Sequence, residues 1–173
     1  MKKIIHLFFL MIITSSCKKS STSISTPPGN PNNQLNANVS IKGGPFTPLA
    51  ATGNSTLFSK NTATNGDVVI HCLGESSQGK IQITLVNISS TGVYTIGGGG
   101  AAGSQYILGD FTIGNPIIGP IYEVFFALAP PPVSGNITID ELTSNSIRGS
   151  FAMTCIGSTG TIQITNGSFK GNF

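Results

Sequence analysis

Residues 135–173 read GNITIDELTSNSIRGSFAMTCIGSTGTIQITNGSFKGNF, and their apolar positions recur at every second residue. Ile137 and Ile139 share one face of the first run, and Leu142 rejoins it after an irregularity near Asp140-Glu141. Ile147, Phe151, Met153 and Cys155 form a second stripe, and Ile162 and Ile164 a third. A period of two puts neighbouring side chains on opposite faces of an extended chain, so each run reads as a half-buried strand. The runs 135–143 and 146–156 should form a hairpin closed around Ser144-Asn145, and 161–170 should return beside the second as an antiparallel meander. Asn166-Gly167 is a turn signal with little chain after it, so it reads as a β-bulge near a strand end. Phe169 and Phe173 are expected to pack.

The same period extends upstream. KIQITLVNI at 80–88 puts Ile81, Ile83 and Leu85 in phase, and shorter strands are expected at 39–42, 67–74, 92–96, 106–112 and 122–127. Clusters of glycine, proline and asparagine separate them, and no window carries a helical period. The expected fold is all-β: an antiparallel β-sandwich or flattened barrel with meander hairpins. Residues 37–173, about 137 of them, are enough for one core and too few for two ordinary domains.

The chain opens with MKKIIHLFFLMIITSSC, in which Lys2 and Lys3 precede an apolar run from Ile4 to Ile13 and small residues lead to Cys17. That is the layout of a bacterial lipoprotein signal at 1–16, cut before a lipidated Cys17. A membrane-spanning helix needs about 20 apolar residues, roughly twice this run. Thr14 departs from the leucine common three residues before the cysteine. Lys18 is not the aspartate that retains some lipoproteins at the inner membrane, so the expected address is the outer membrane, lipid-anchored. Residues 17–36 then form the lipidated cysteine and a flexible tether rich in serine, proline and asparagine.

The formal net charge of +3 misleads, because four lysines lie in the signal and tether. From residue 37 onward Lys42, Lys60, Lys80, Arg148 and Lys170 face Asp67, Glu75, Asp110, Glu123, Asp140 and Glu141. Nucleic-acid binding wants a clustered basic face, and this balance supplies none. With 9% charged residues, the wetted surface must come from serine, threonine and asparagine.

The closing stretch 135–173, with ANVSIKGGPFTPLAATG at 37–53 and STGVYTIGGG at 90–99, resembles a family of small lipoproteins from Bacteroidota catalogued as a domain of unknown function. The resemblance implies a β-rich fold and a cell-envelope address. It brings no catalytic residues with it.

Chemistry-bearing motifs mostly fail on context. His71 is the one histidine after the signal, which excludes a multi-histidine metal site within one copy. Its neighbour Cys72 should point to the opposite face of a strand and so cannot be its dyad partner. The run at 98–103, GGGAAG, fits GxGxxG, but the next element reads as a strand where a phosphate site needs a helix N-terminus. Ser77 to Lys80 fits SxxK, yet it reads as a turn into a strand. Asp140 and Glu141 would diverge across a regular strand, making a poor acid/base pair unless the local irregularity turns both outward. The Asn-x-Ser/Thr sequons at Asn54, Asn87, Asn136 and Asn166 have no consequence behind a bacterial signal. Without tryptophan, aromatic platforms for sugar are limited to Tyr94, Tyr106 and Tyr122. No catalytic residue, metal or cofactor is expected.

Two functional readings remain: a non-catalytic binding or surface-organising module with an envelope protein or glycan partner, and a hydrolase acting on an envelope polymer or glycan. A clustered Asp/Glu pair in a cleft would favour the second. The candidate contact surface comprises Tyr106, Tyr122 and the 115–121 loop with Ile117 and Ile118 between Pro116 and Pro120; the alternative is that Ile117 and Ile118 fold back onto the domain as a buried plug. Cys72 and Cys155 are both in phase with core positions, and export would allow either a disulfide or two buried thiols.

Overall fold

The computed structural model describes residues 30–97, 103–113, 123–127 and 135–173. The signal, Cys17, Ile117, Ile118 and Tyr122 lie outside the described residues. Among the described residues eleven strands follow in order: β1 (Gln34–Ile41), β2 (Thr47–Thr52), β3 (Thr56–Thr62), β4 (Val68–Ser76), β5 (Gly79–Val86), β6 (Gly92–Ile96), β7 (Tyr106–Ile113), β8 (Glu123–Ala127), β9 (Gly135–Leu142), β10 (Ser146–Gly157) and β11 (Gly160–Asn172). A 3-10 turn, Gly53–Ser55, joins β2 to β3.

All pairings are antiparallel. One sheet runs β2-β1-β11-β10-β9-β6 and the other β8-β7-β5-β4-β3. The long β10 belongs to both: its residues 147–153 pair with β9, while Ile156 pairs with Phe126 of β8. The result is a β-sandwich hinged along β10 and not closed into a barrel. Its interior is filled by Leu35, Val39, Ile70, Ile81, Ile83, Leu85, Ile137, Ile139, Ile147, Phe151, Ile162, Ile164 and Phe169 among others. Apart from Leu35, these lie in stretches where the sequence led one to expect strands, with Phe173 packed at the margin.

The meander β9-β10-β11 forms as expected. Thr143 closes the first hairpin, its Oγ1 accepting the Ser146 N–H at 2.9 Å and the Asn145 N–H at 3.1 Å. The bulge at Asn166-Gly167 is present: the register jumps from Phe151↔Gly167 to Met153↔Ile164, and Asn166 takes a left-handed φ of 51°.

Two strands escape the periodicity. TPLAAT (β2) carries Pro48 and two alanines, and TLFSKNT (β3) buries only Thr56 and Phe58, so neither shows an apolar stripe. Both are end strands with one paired side. The domain also begins earlier than residue 37. Leu35 is fully buried, and Asn33 is buried with its carbonyl accepting from Gly53 N and its Oδ1 from Asn172 N. Burying Leu35 is worth about 2 kcal/mol, which ties down chain that composition alone assigns to the tether.

Strand glycines seat the core aromatics. A Cβ at Gly167 would come within 2.6 Å of the Phe151 ring, at Gly149 within 2.7 Å of Phe169, and at Gly171 it would overlap Phe58 from the opposite sheet. Each missing side chain makes room for a ring. A second link between the sheets is polar: Gln78, in the β4–β5 turn, donates from Nε2 to the Pro48 carbonyl at 3.0 Å, and its Oε1 accepts from Thr47 Oγ1 at 3.0 Å. Cys72 and Cys155 both face the core with no exposed surface, and both are free thiols, the second of the two sequence alternatives.

Candidate functional site: a polar trough on the first sheet

Alternation leaves the outer face of the first sheet mostly to polar side chains, with Val93 on β6 exposed opposite Thr138 at the edge. Across it, Gln34, Lys170, Arg148 and Glu141 are cross-strand neighbours on β1, β11, β10 and β9, and Asn36, Ser168, Ser150 and Thr138 form the next row. A groove of about 290 Å³ lies over these rows, with Asp140 also in its wall. A second of about 340 Å³ continues along β9, β10 and β11 past Asn136, Ala152, Thr154, Gln163 and Thr165. Together they form a shallow trough along β10 and β11.

A bulge shapes one end of it. Glu141 pairs with Arg148, but Ile139 pairs with Gly149, so Asp140 is an extra residue on β9 and both carboxylates are exposed. The irregularity therefore does turn both outward, against the divergence expected of a regular strand. Glu141 is already engaged: Ser146 Oγ donates to Oε1 at 2.9 Å, and Arg148 Nε stands 3.7 Å from Oε2. The ion pair is about half exposed, so it contributes about 1 kcal/mol or less.

The residues singled out from the sequence do not converge on one place. His71 lies half-buried on the outer face of the second sheet, its Nδ1 3.1 Å from Thr84 Oγ1, and Cys72 points the other way into the core. Tyr94 donates its hydroxyl to the Ser90 carbonyl at 2.9 Å, at the edge strand β6. Tyr106 begins β7, half-buried and opposite Val86. It is the one member of the expected contact surface within the described residues. The SxxK stretch is the β4–β5 turn, and the glycine run at 98–102 lies outside the described residues with strand β7 following it.

Two carboxylates that sequence reasoning passed over have defined environments. Asp67 Oδ1 accepts from Asn87 Nδ2 at 2.7 Å and from the Gly103 N–H at 2.9 Å, and Oδ2 accepts from Asn65 Nδ2 at 2.6 Å. The Asn87 amide holds this carboxyl below its ordinary range, with Gly103 and Asn65 adding to the effect and burial opposing it. Asn87 reaches it from a left-handed φ of 54°, and the cluster pins the chain at Gly103 to the β3–β4 turn. Both Asp67 oxygens are satisfied by donors, which suits a structural latch rather than a cation site. Asp110, on the outer face of the second sheet, is pushed up to about 6 by burial, with Lys80 partly offsetting it.

Among the described residues no group of three His, Cys, Asp or Glu side chains could hold a metal ion, and no helix is long and apolar enough to cross a membrane. The arrangement defines a β-sandwich with a polar trough on one face and a half-apolar surface on the other. No family model, curated protein or solved structure matches the chain.

Proposed function

We propose that the protein is a lipid-anchored component of the outer membrane, attached through Cys17, whose β-domain is a non-catalytic binding or surface-organising module. The observation that carries the binding part is the trough: amides, hydroxyls and both charge signs gathered on a rigid sheet, with the cross-strand rows holding them in register. The address is carried by the signal-like start and agrees with the resemblance to Bacteroidota envelope lipoproteins. The rival reading, hydrolysis of an envelope polymer, is favoured by one feature, the bulge that exposes Asp140 and Glu141 together. Against it, Glu141 is committed to Ser146 and Arg148.

The test uses cells making the full chain, labelled fatty acid, and cross-linked envelopes. Cys17→Ala should abolish acylation and leave an unprocessed precursor, and Ser150→Arg, which fills the trough, should lose envelope cross-links while remaining acylated. Persistent labelling of the first variant would refute the anchor. Unchanged cross-links in the second would refute the trough, and cleavage of envelope polymer that disappears in Asp140→Asn would establish the hydrolase instead.

A further inference from the structure

We infer that the trough binds an uncharged glycan chain lying along β10 and β11; this rests on reading that face as a binding surface. Charge balance selects the class. At the charged end Arg148 is offset by Glu141, and Asp140 lines the same groove as Lys170, so both signs are present in equal number. An anionic polymer would meet two carboxylates there, and a cationic one would meet a guanidinium and an ammonium.

A sugar hydroxyl both donates and accepts, which suits a groove that carries carboxylates and cations together. Asp140, on one side of the groove, can accept a hydrogen bond from a sugar hydroxyl, and Lys170, two strands away on the other side, can donate to another. The neighbouring groups are of the same kind. Asn36 and Gln34 offer both amide hydrogens and a carbonyl, and Ser150 and Ser168 offer hydroxyls that rotate to suit.

Shape points to an extended ligand. Arg148, Ser150, Ala152 and Thr154 follow one another on the outward face of β10, a run of about 20 Å at the rise of a β-strand. That length accommodates several sugar units in line, and the exposed Ala152 methyl in the middle offers apolar contact to the C–H face of a ring. Phe169 is the one aromatic residue along either groove, and it is buried with its ring against Phe151, so no exposed ring is offered and binding is expected to be weak and polar in origin.

The experiment is affinity electrophoresis of the full chain in gels containing dextran, laminarin, mannan, galactan or polygalacturonate. At least one neutral polymer should retard the protein, with its affinity reduced about tenfold by Asp140→Asn and by Lys170→Gln, the loss expected for a hydrogen bond to a charged group. Both sites are exposed, and thermal melts would show that the variants remain folded. Retardation by polygalacturonate alone, lost in Arg148→Gln, would overturn the uncharged class and leave the face as a binding surface. Retardation insensitive to these substitutions would overturn the site. No retardation by any polymer would overturn the glycan, while trough-dependent envelope cross-links would keep the module reading intact.

Discussion

Asp110 shows how a single residue can record a face of the molecule. In the unfolded chain its carboxyl titrates near 4, whereas in the fold burial pushes it up to about 6 despite Lys80. Between those values the unfolded state has released a proton that the native state retains, so stability falls as pH rises through the window. The penalty is complete above it. Asp110→Asn should therefore raise the melting temperature at pH 7, by the equivalent of about 1–2 kcal/mol once solvent screening is allowed for, and leave it unchanged at pH 3.5. An equal shift at both values, in paired thermal melts, would contradict this origin. Asp67 has the opposite bias, since its three donors favour the charged form and the latch on Gly103 weakens only as pH falls below the ordinary carboxylate range. Neither environment can be read from sequence. Asp110 looks like any outward strand residue, and the partners of Asp67 come from positions up to 36 residues away in the chain.

Strands with an alternating stripe were legible. The three that form the closing meander, and β5, β6 and β7, fall within a few residues of where periodicity puts them, because burying one face dictates the alternation. β2 and β3 were not, since an end strand covers the core with few side chains: Leu49 and Ala51 in one, Phe58 in the other. The strand glycines were also opaque, because a glycine inside a strand signals close approach without naming the ring that approaches. Gly171 is the clearest case, lying under Phe58 from the other sheet. Gly171→Ala should cost about 1–3 kcal/mol by overpacking, read as a lower denaturant midpoint, and adding Phe58→Leu should recover part of it. An unchanged midpoint would mean that the ring does not occupy that space. The bulge at Asn166 was legible from its turn dipeptide. The one at Asp140 was visible only as a break in phase, and its consequence, two exposed carboxylates beside Arg148 and Lys170, needed the register of β9 on β10.

At the scale of the molecule, the sandwich presents two unlike outer faces. The first sheet carries the trough. On the second, Leu57, Leu73, Gln82 and Asp110 form a cross-strand row that β8 continues to Ile156 of β10, and Leu57 and Ile156 are more than half exposed. Two of the end strands discourage strand addition by another chain: Pro48 on β2 lacks an N–H, and Lys60 on β3 reaches over the Phe173 ring at 5.6 Å. Of the two faces, the balance of polar groups favours the first for a partner. The native thiols make this measurable, because burial raises the pKa of Cys72 and pushes Cys155 up to about 12, leaving both silent toward maleimide in the folded protein. Ser150→Cys places a reactive thiol in the trough, and Leu57→Cys places one on the opposite face. Isolated envelopes added to each variant should slow maleimide labelling at position 150 and leave labelling at position 57 unchanged; protection at 57 alone, or at neither position, would contradict a binding surface on the first sheet.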